Sequence, residues 1–259
     1  GYIIAQLALQ DVNDIDNAAY KGNLIFDEFL IGKLVDNKKI GEVSFNVYAD
    51  GKGFRPDNIN TLVEGTIYGL NYNDYYYTNV ALNGNLQDKI FNGYINTKDE
   101  NLELNFQGLV DFSEAENNYN FNAEVNHANL KVLNFVKNDS VSLFKGRVAM
   151  NMKGTSLDNA YGTIDFQNTL YTNEYDVYYF EDFSIASNFK NNERTLSVNS
   201  PEIIEGSMKG NFKLKEVVKL VENSVGNLYT NYRPYAIAND QYITFNFKVY
   251  NKIAEVFYP

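Results

Sequence analysis

A chain of 259 residues that is 44% hydrophobic and 15% aromatic carries enough apolar surface to bury a core, which argues against disorder. Its formal net charge of -11 argues against nucleic acid as a partner and against anionic membrane surfaces, because basic stripes are needed to displace counterions from phosphate. With no cysteine and one histidine, it has neither a disulfide framework nor the usual zinc ligand sets, and no cofactor is expected.

No run of eighteen apolar residues occurs, so no transmembrane helix is expected. The start, GYIIAQLALQD, lacks the basic region and cleavage site of a signal peptide, and the sequence reads as a piece of a longer protein. In chain order, Ile3, Ala5, Leu7 and Leu9 alternate with mostly polar neighbours and predict a strand, followed by a polar turn from Asp11 to Asn17. Asp11, Asn13, Asp14 and Asp16 lack the glycine and terminal glutamate of an EF-hand loop, which favours a solvated acidic turn. Phe26, Leu30 and Leu34 recur at every fourth residue, with Asp27 as a cap and Gly41 as a terminator, and predict a short helix.

Strand then follows strand. Val43, Phe45 and Val47 alternate with polar residues, as do Leu102, Leu104 and Phe106, and then Phe121, Ala123 and Val125. Turns are expected at Gly51 to Gly53, Asn83-Gly84, Asn92-Gly93 and Asp99 to Asn101. Leu130, Leu133 and Val136 put one side of a helical turn at Ala128 to Lys137. Strands resume at Val148, Met150 and Met152, at Ile164 and Phe166, at Phe183 and Ile185, and at Leu196 and Val198. A longer helix is predicted where Leu214, Val217, Val218, Val221, Val225 and Leu228 keep three-four spacing, and Ile243, Phe245, Phe247 and Val249 close the chain as a strand. The pattern fits a mainly β, antiparallel meander with a few short helices. These helices either plug the apolar face of the sheet or simply connect strands.

The stretch Asn71 to Gly84 returns about a hundred residues later as Glu174 to Ser187. Tyr75 falls on Tyr178, Tyr77 on Phe180, Val80 on Phe183 and Leu82 on Ile185, so apolar positions persist while polar ones drift, as in a structural repeat. Glu64 to Ile67 likewise matches Tyr161 to Ile164. Approximate units cover 24–127 and 128–212, with a partial third over 213–259.

Chemistry-bearing patterns are sparse. The acid pairs Glu181-Asp182 and Glu202 with Glu205 suit a glycosidase in principle, but the first aligns with Thr78-Asn79 in the repeat. His127 stands alone, no catalytic motif is present, and a non-enzymatic role is expected. The tyrosines at 75–77 and 178–179 are either sugar-stacking platforms or neighbours split between core and surface, and the second reading needs no ligand.

The runs KGTSLDNAYGTIDFQNTLY (Lys153 to Tyr171), YYFEDFSIAS (Tyr178 to Ser187), SPEIIEGSMKGNFKLKEV (Ser200 to Val217) and NLYTNYRPY (Asn227 to Tyr235) resemble the middle region of the Bacteroidota form of TamB, the AsmA-like translocation and assembly module subunit. The resemblance implies an elongated sheet curled into an open, taco-like trough with an apolar interior. It further implies a periplasmic bridge, anchored to the inner membrane through a region not included here and reaching the outer membrane. The expected partners are phospholipid acyl chains, a TamA-like outer-membrane barrel protein and the remainder of a longer chain. Lipid conduction and assistance to β-barrel assembly both remain open as its role. On the order of sixteen strands at roughly 4.8 Å would give a channel of about 75 Å.

Overall fold

The computed structural model describes residues 1–30, 32, 38–55, 57–137, 139–201 and 203–250. They form one fourteen-stranded sheet in which each strand pairs antiparallel with its neighbours in sequence. The strands are β1 (Tyr2–Gln10), β2 (Ala19–Leu30), β3 (Ile40–Lys52), β4 (Asn60–Tyr72), β5 (Tyr75–Gln87), β6 (Ile90–Lys98) and β7 (Leu102–Asp111) in the first half. The second half adds β8 (Asn118–Asn129), β9 (Ser142–Lys153), β10 (Tyr161–Asn173), β11 (Val177–Lys190), β12 (Glu193–Ser200), β13 (Ile204–Asn211) and β14 (Tyr242–Val249). β1 and β14 do not pair, so the sheet is unclosed. Fourteen strands, rather than sixteen, span thirteen spacings of roughly 4.8 Å, about 62 Å.

Three hairpins turn on residue pairs with positive φ: Asn73-Asp74 (54° and 63°), Asp88-Lys89 (45° and 69°) and Asn191-Asn192 (53° and 64°). Two consecutive positive φ values match the twist of the flanking strands, and Asn and Asp tolerate them best. Turns also form at Asp11 to Asn17, after β3 at Gly53, and around Asp99 to Asn101. The expected turns at Asn83-Gly84 and Asn92-Gly93 are corrected, because both dipeptides lie inside strands. Gly84 pairs with Gly93, and Gly93 with Gly108. A Cβ on Gly93 would stand 2.5 Å from the Gly84 Cα. Close backbone approach, not chain reversal, is what these glycines provide.

The expected helix after Phe26 is corrected at its start, while Gly32 is helical and the positions around it, 31 and 33–37, lie outside the described residues. Phe26 and Leu30 belong to β2, where Phe26 pairs with Phe45 and Leu30 with Glu42 around a bulge at Glu28 (φ 47°). Gly41 belongs to β3, while Leu34 lies outside the described residues. Of the other two expected helical segments, the first is a run of turns over 130–134 that follows Ala128 and Asn129 at the end of β8, and the second forms as helix. In the link from β8 to β9 the Leu133 N–H donates to the Asn129 carbonyl, and those of Phe135 and Val136 to the Leu130 carbonyl. Between β13 and β14, a 3-10 turn (Leu214–Glu216) leads into α1 (Val217–Gly226).

Candidate functional site: one apolar face

Residues directly opposite across antiparallel strands share a face, so the pairing register can be followed laterally from strand to strand. One such row runs Leu7, Gly22, Ala49, Val63, Gly84, Gly93, Gly108, Phe121, Met150, Ile164, Ile185, Val198, Gly206, Phe247 and crosses all fourteen strands. Every member is apolar or glycine. The neighbouring row runs from Ala5 through Leu24, Val47, Gly65, Leu82, Ile95, Phe106, Ala123, Val148 and Phe166 to Phe183, again without a polar side chain. On the opposite face the row Gln6, Asn23, Tyr48, Glu64, Asn83, Tyr94, Gln107, Asn122, Ala149, Asp165, Ser184, Asn199, Glu205, Lys248 is polar apart from Ala149, its tyrosines carrying hydroxyls.

The alternating residues expected from sequence to line an apolar trough, Val43, Phe45, Val47, Leu102, Leu104, Phe106, Phe121, Val125, Val148, Met150, Met152, Ile164, Phe166, Phe183, Ile185, Leu196, Val198, Phe245, Phe247 and Val249, share the apolar face. Among them Val43 and Val47 are buried, while Phe245 (56% exposed) and Val249 (55%) are open and the rest half-buried. Sequence reading missed Leu24 and Phe26 in β2, Val63 and Ile67 in β4, Val80 and Leu82 in β5, and Phe91 and Ile95 in β6. Their alternation was present, but it was masked by two Asn-Gly pairs and by a chance four-residue spacing. Aromatic contacts tie neighbouring strands together on this face: Phe26 stacks on Phe45 at 4.5 Å, and Phe106 tilts against Phe121 at 5.0 Å. Such pairs add about 0.5–1.5 kcal/mol each beyond burial.

Among the described residues, two segments pack over margins of this face, and the link from β9 to β10 passes over it beside Met152. Leu133, fully buried, packs on Tyr77 and Ala128, with Leu70, Val80, Val125 and Phe144 around them. Leu220 of α1 packs on Met208 and Phe212, flanked by Leu196, Ile243 and Phe247. Burial pushes the Tyr77 phenol up to about 12, helped by Tyr72, Tyr75 and Asp99 nearby. Asp99 anchors the same margin. It accepts from the Tyr75 hydroxyl, from the Thr78 N–H at 2.9 Å and hydroxyl at 2.8 Å, and from the Asn101 N–H at 2.9 Å. Burial alone would raise its pKa; the hydrogen bonds, that from Tyr75 first, outweigh burial and hold it below the usual carboxylate range.

The remaining candidate groups do not converge. Glu181 and Asp182 are consecutive in β11 and point to opposite faces, Glu202 lies outside the described residues, and Glu205 accepts from the Tyr250 hydroxyl at 2.7 Å. His127 stands opposite Glu103 in the ladder. Asp14 caps its own turn through Asp16 and Asn17, and Asp16 pairs with Arg55 at 3.3 Å. Tyr75 and Tyr77 meet edge to face at 4.7 Å, whereas Tyr76 between them is exposed.

No family model, curated protein or solved structure matches this chain.

Proposed function

We propose that this chain is a segment of a TamB-like bridge that conducts phospholipid between the inner and outer membranes, acyl chains lying on the apolar face and head groups staying in water. The observation that carries the reading is the apolar row at constant register through all fourteen strands. Among the described residues no second sheet covers that face, and an uncovered apolar surface of this extent marks a binding surface. Glycines at Gly84, Gly93 and Gly108 give the sheet a line along which to curl, turning the face into the taco-like trough that the family resemblance implies. Along such a trough each methylene gains about 0.8 kcal/mol from leaving water at every position, so a chain moves without meeting a deep trap.

A charge in mid-face interrupts this path, because it keeps water with it. In the purified protein, photoreactive phospholipid cross-links to the apolar face. Met150→Asp or Phe166→Arg lowers the yield by tenfold or more, while Asn105→Asp or Asn151→Asp on the other face leaves it unchanged. Equal yields from all four variants, with circular dichroism showing intact sheet, defeat the proposal.

A further inference from the structure

The polar side of the sheet carries a hollow of about 410 Å³ that opens across five consecutive strands, β6 to β10. Register sets its lining. Tyr94 stands opposite Gln107, Gln107 opposite Asn122 and Asn122 opposite Ala149, while in the next row Asn96, Asn105, Glu124, Arg147 and Gln167 face one another in turn. The hollow exists because Ala149 is short and the side chains of Tyr94, Gln107, Arg147 and Gln167 around it are long. A second hollow of about 130 Å³ shares Glu124, Arg147 and Gln167 with the first and continues it to Asn126, Lys145 and Asn168. Together they make one groove.

Two bulges shape its far end. β8 is irregular between Val125 and Ala128, and β10 between Gln167 and Leu170, where Asn168 has φ 48°, so both neighbours of β9 bulge at the level of Gly146. Bulges re-aim side chains and gather beside functional sites. Here they bring Asn126 and Asn168 to the groove, and the exposed Tyr179 donates from its hydroxyl to Asn168 at 3.2 Å.

The lining narrows the ligand class. In the larger hollow the charged groups are Glu124 and Arg147, which pair at 3.4 Å and offset each other, so no ionic ligand is selected there; Lys145 lies only in the smaller one. The carboxamides of Asn96, Asn105, Gln107, Asn122 and Gln167 both donate and accept, which matches hydroxyl groups that do the same. Part of this set is ordered in advance: Gln107 donates to the Tyr94 hydroxyl at 2.9 Å, and Asn96 donates to Asn105. Tyr94, 57% exposed, offers an apolar ring face beside these polar groups. Glycoside cleavage takes a pair of carboxylates, and Glu124 is the one carboxylate that lines either hollow among the described residues, so the groove suits binding without hydrolysis.

We propose that this groove binds a neutral glycan, one sugar ring lying on Tyr94 and its hydroxyls held by the carboxamides of Asn105, Asn122 and Gln167. The site goes beyond lipid conduction, because it occupies the side of the sheet opposite the apolar rows and gives that side a function of its own. Its larger hollow falls in the ordinary range for ligand pockets, about 300–1,000 Å³.

Isothermal titration calorimetry of the purified chain with cellotriose, maltotriose and triacetylchitotriose tests the site. At least one of the three binds saturably, and its affinity does not change with added salt. Tyr94→Ala weakens binding about tenfold, while Tyr94→Phe, which keeps the ring, changes it by less than about threefold. Asn122→Ala, at an exposed position, also weakens it. Tyr68→Ala, at a tyrosine of similar exposure on β4 outside the groove, leaves affinity unchanged, as does Met150→Asp on the apolar side. Circular dichroism establishes intact sheet in every variant. No binding of any of the three sugars, equal loss from Tyr68→Ala and Tyr94→Ala, or binding only of an extended glycine-serine peptide overturns the glycan site. Cross-linking of photoreactive phospholipid to the apolar face is read separately, so the conduit can survive the loss of the glycan site, and the glycan site the loss of the conduit.

Discussion

The hairpins β4–β5 and β10–β11 carry the two copies of the repeated stretch, yet they do not pair alike. Ile67 stands opposite Val80, whereas its counterpart Ile164 stands opposite Ile185, the counterpart of Leu82. Their register differs by two residues. A slip of one would turn every apolar side chain of a strand to the polar face, while a slip of two returns each to its own side. The buried aromatic moves accordingly, from Tyr77 in the first hairpin to Tyr178 in the second, although Tyr178 aligns with Tyr75. What the two copies share is the parity of their faces, and their partners are free to differ.

The hardest test of that rule is an insertion in β11. One alanine after Asp182 inverts the strand beyond it and abolishes cooperative thermal unfolding followed by circular dichroism, whereas two alanines at the same place retain it. Comparable loss from both insertions would show that register, not parity, is what this sheet requires.

The next largest effect separates the two margins. Leu133→Ala removes a fully buried side chain and costs about 2–5 kcal/mol in urea unfolding. Leu220→Ala under α1 costs less, since that side chain retains 8% exposure and its helix is solvated on the other side. Equal costs would remove the distinction between a packed plug and a docked helix.

A smaller effect concerns the network beside Tyr77; in the second hairpin it is the Tyr171 hydroxyl, stacked on Tyr178, that donates to a carboxylate, Asp139, at 3.0 Å. Asp99→Asn replaces a carboxylate that accepts four hydrogen bonds, costing about 1.5–3 kcal/mol at neutral pH. Because the folded-state pKa of Asp99 lies below the ordinary carboxylate value of 3.8, its contribution is present above that value and is lost as pH falls through the folded pKa. Between pH 5 and pH 2 the parent therefore loses more stability than the variant, as read from urea midpoints; parallel loss in both would show that Asp99 is not the linked group.

Period-two alternation was legible wherever the sequence carries it without interruption, as at Val148, Met150 and Met152 or at Leu102, Leu104 and Phe106, because which face a strand residue takes is decided by its immediate neighbours. The same reading failed at Asn83-Gly84 and Asn92-Gly93. Locally those dipeptides are strong turn formers, and only the packing of β5 against β6 and β7 demands glycine there for close approach. It failed at Phe26 and Leu30 because a four-residue spacing fits a helix face and a bulged strand equally well, and pairing with β3 selects the strand. Sequence by itself thus determined an antiparallel chain with one apolar and one polar side. Tertiary structure decided the register, the fourteen-strand count, and the seating of Leu133 and α1 at the margins, since each depends on side chains far apart in sequence meeting across the sheet.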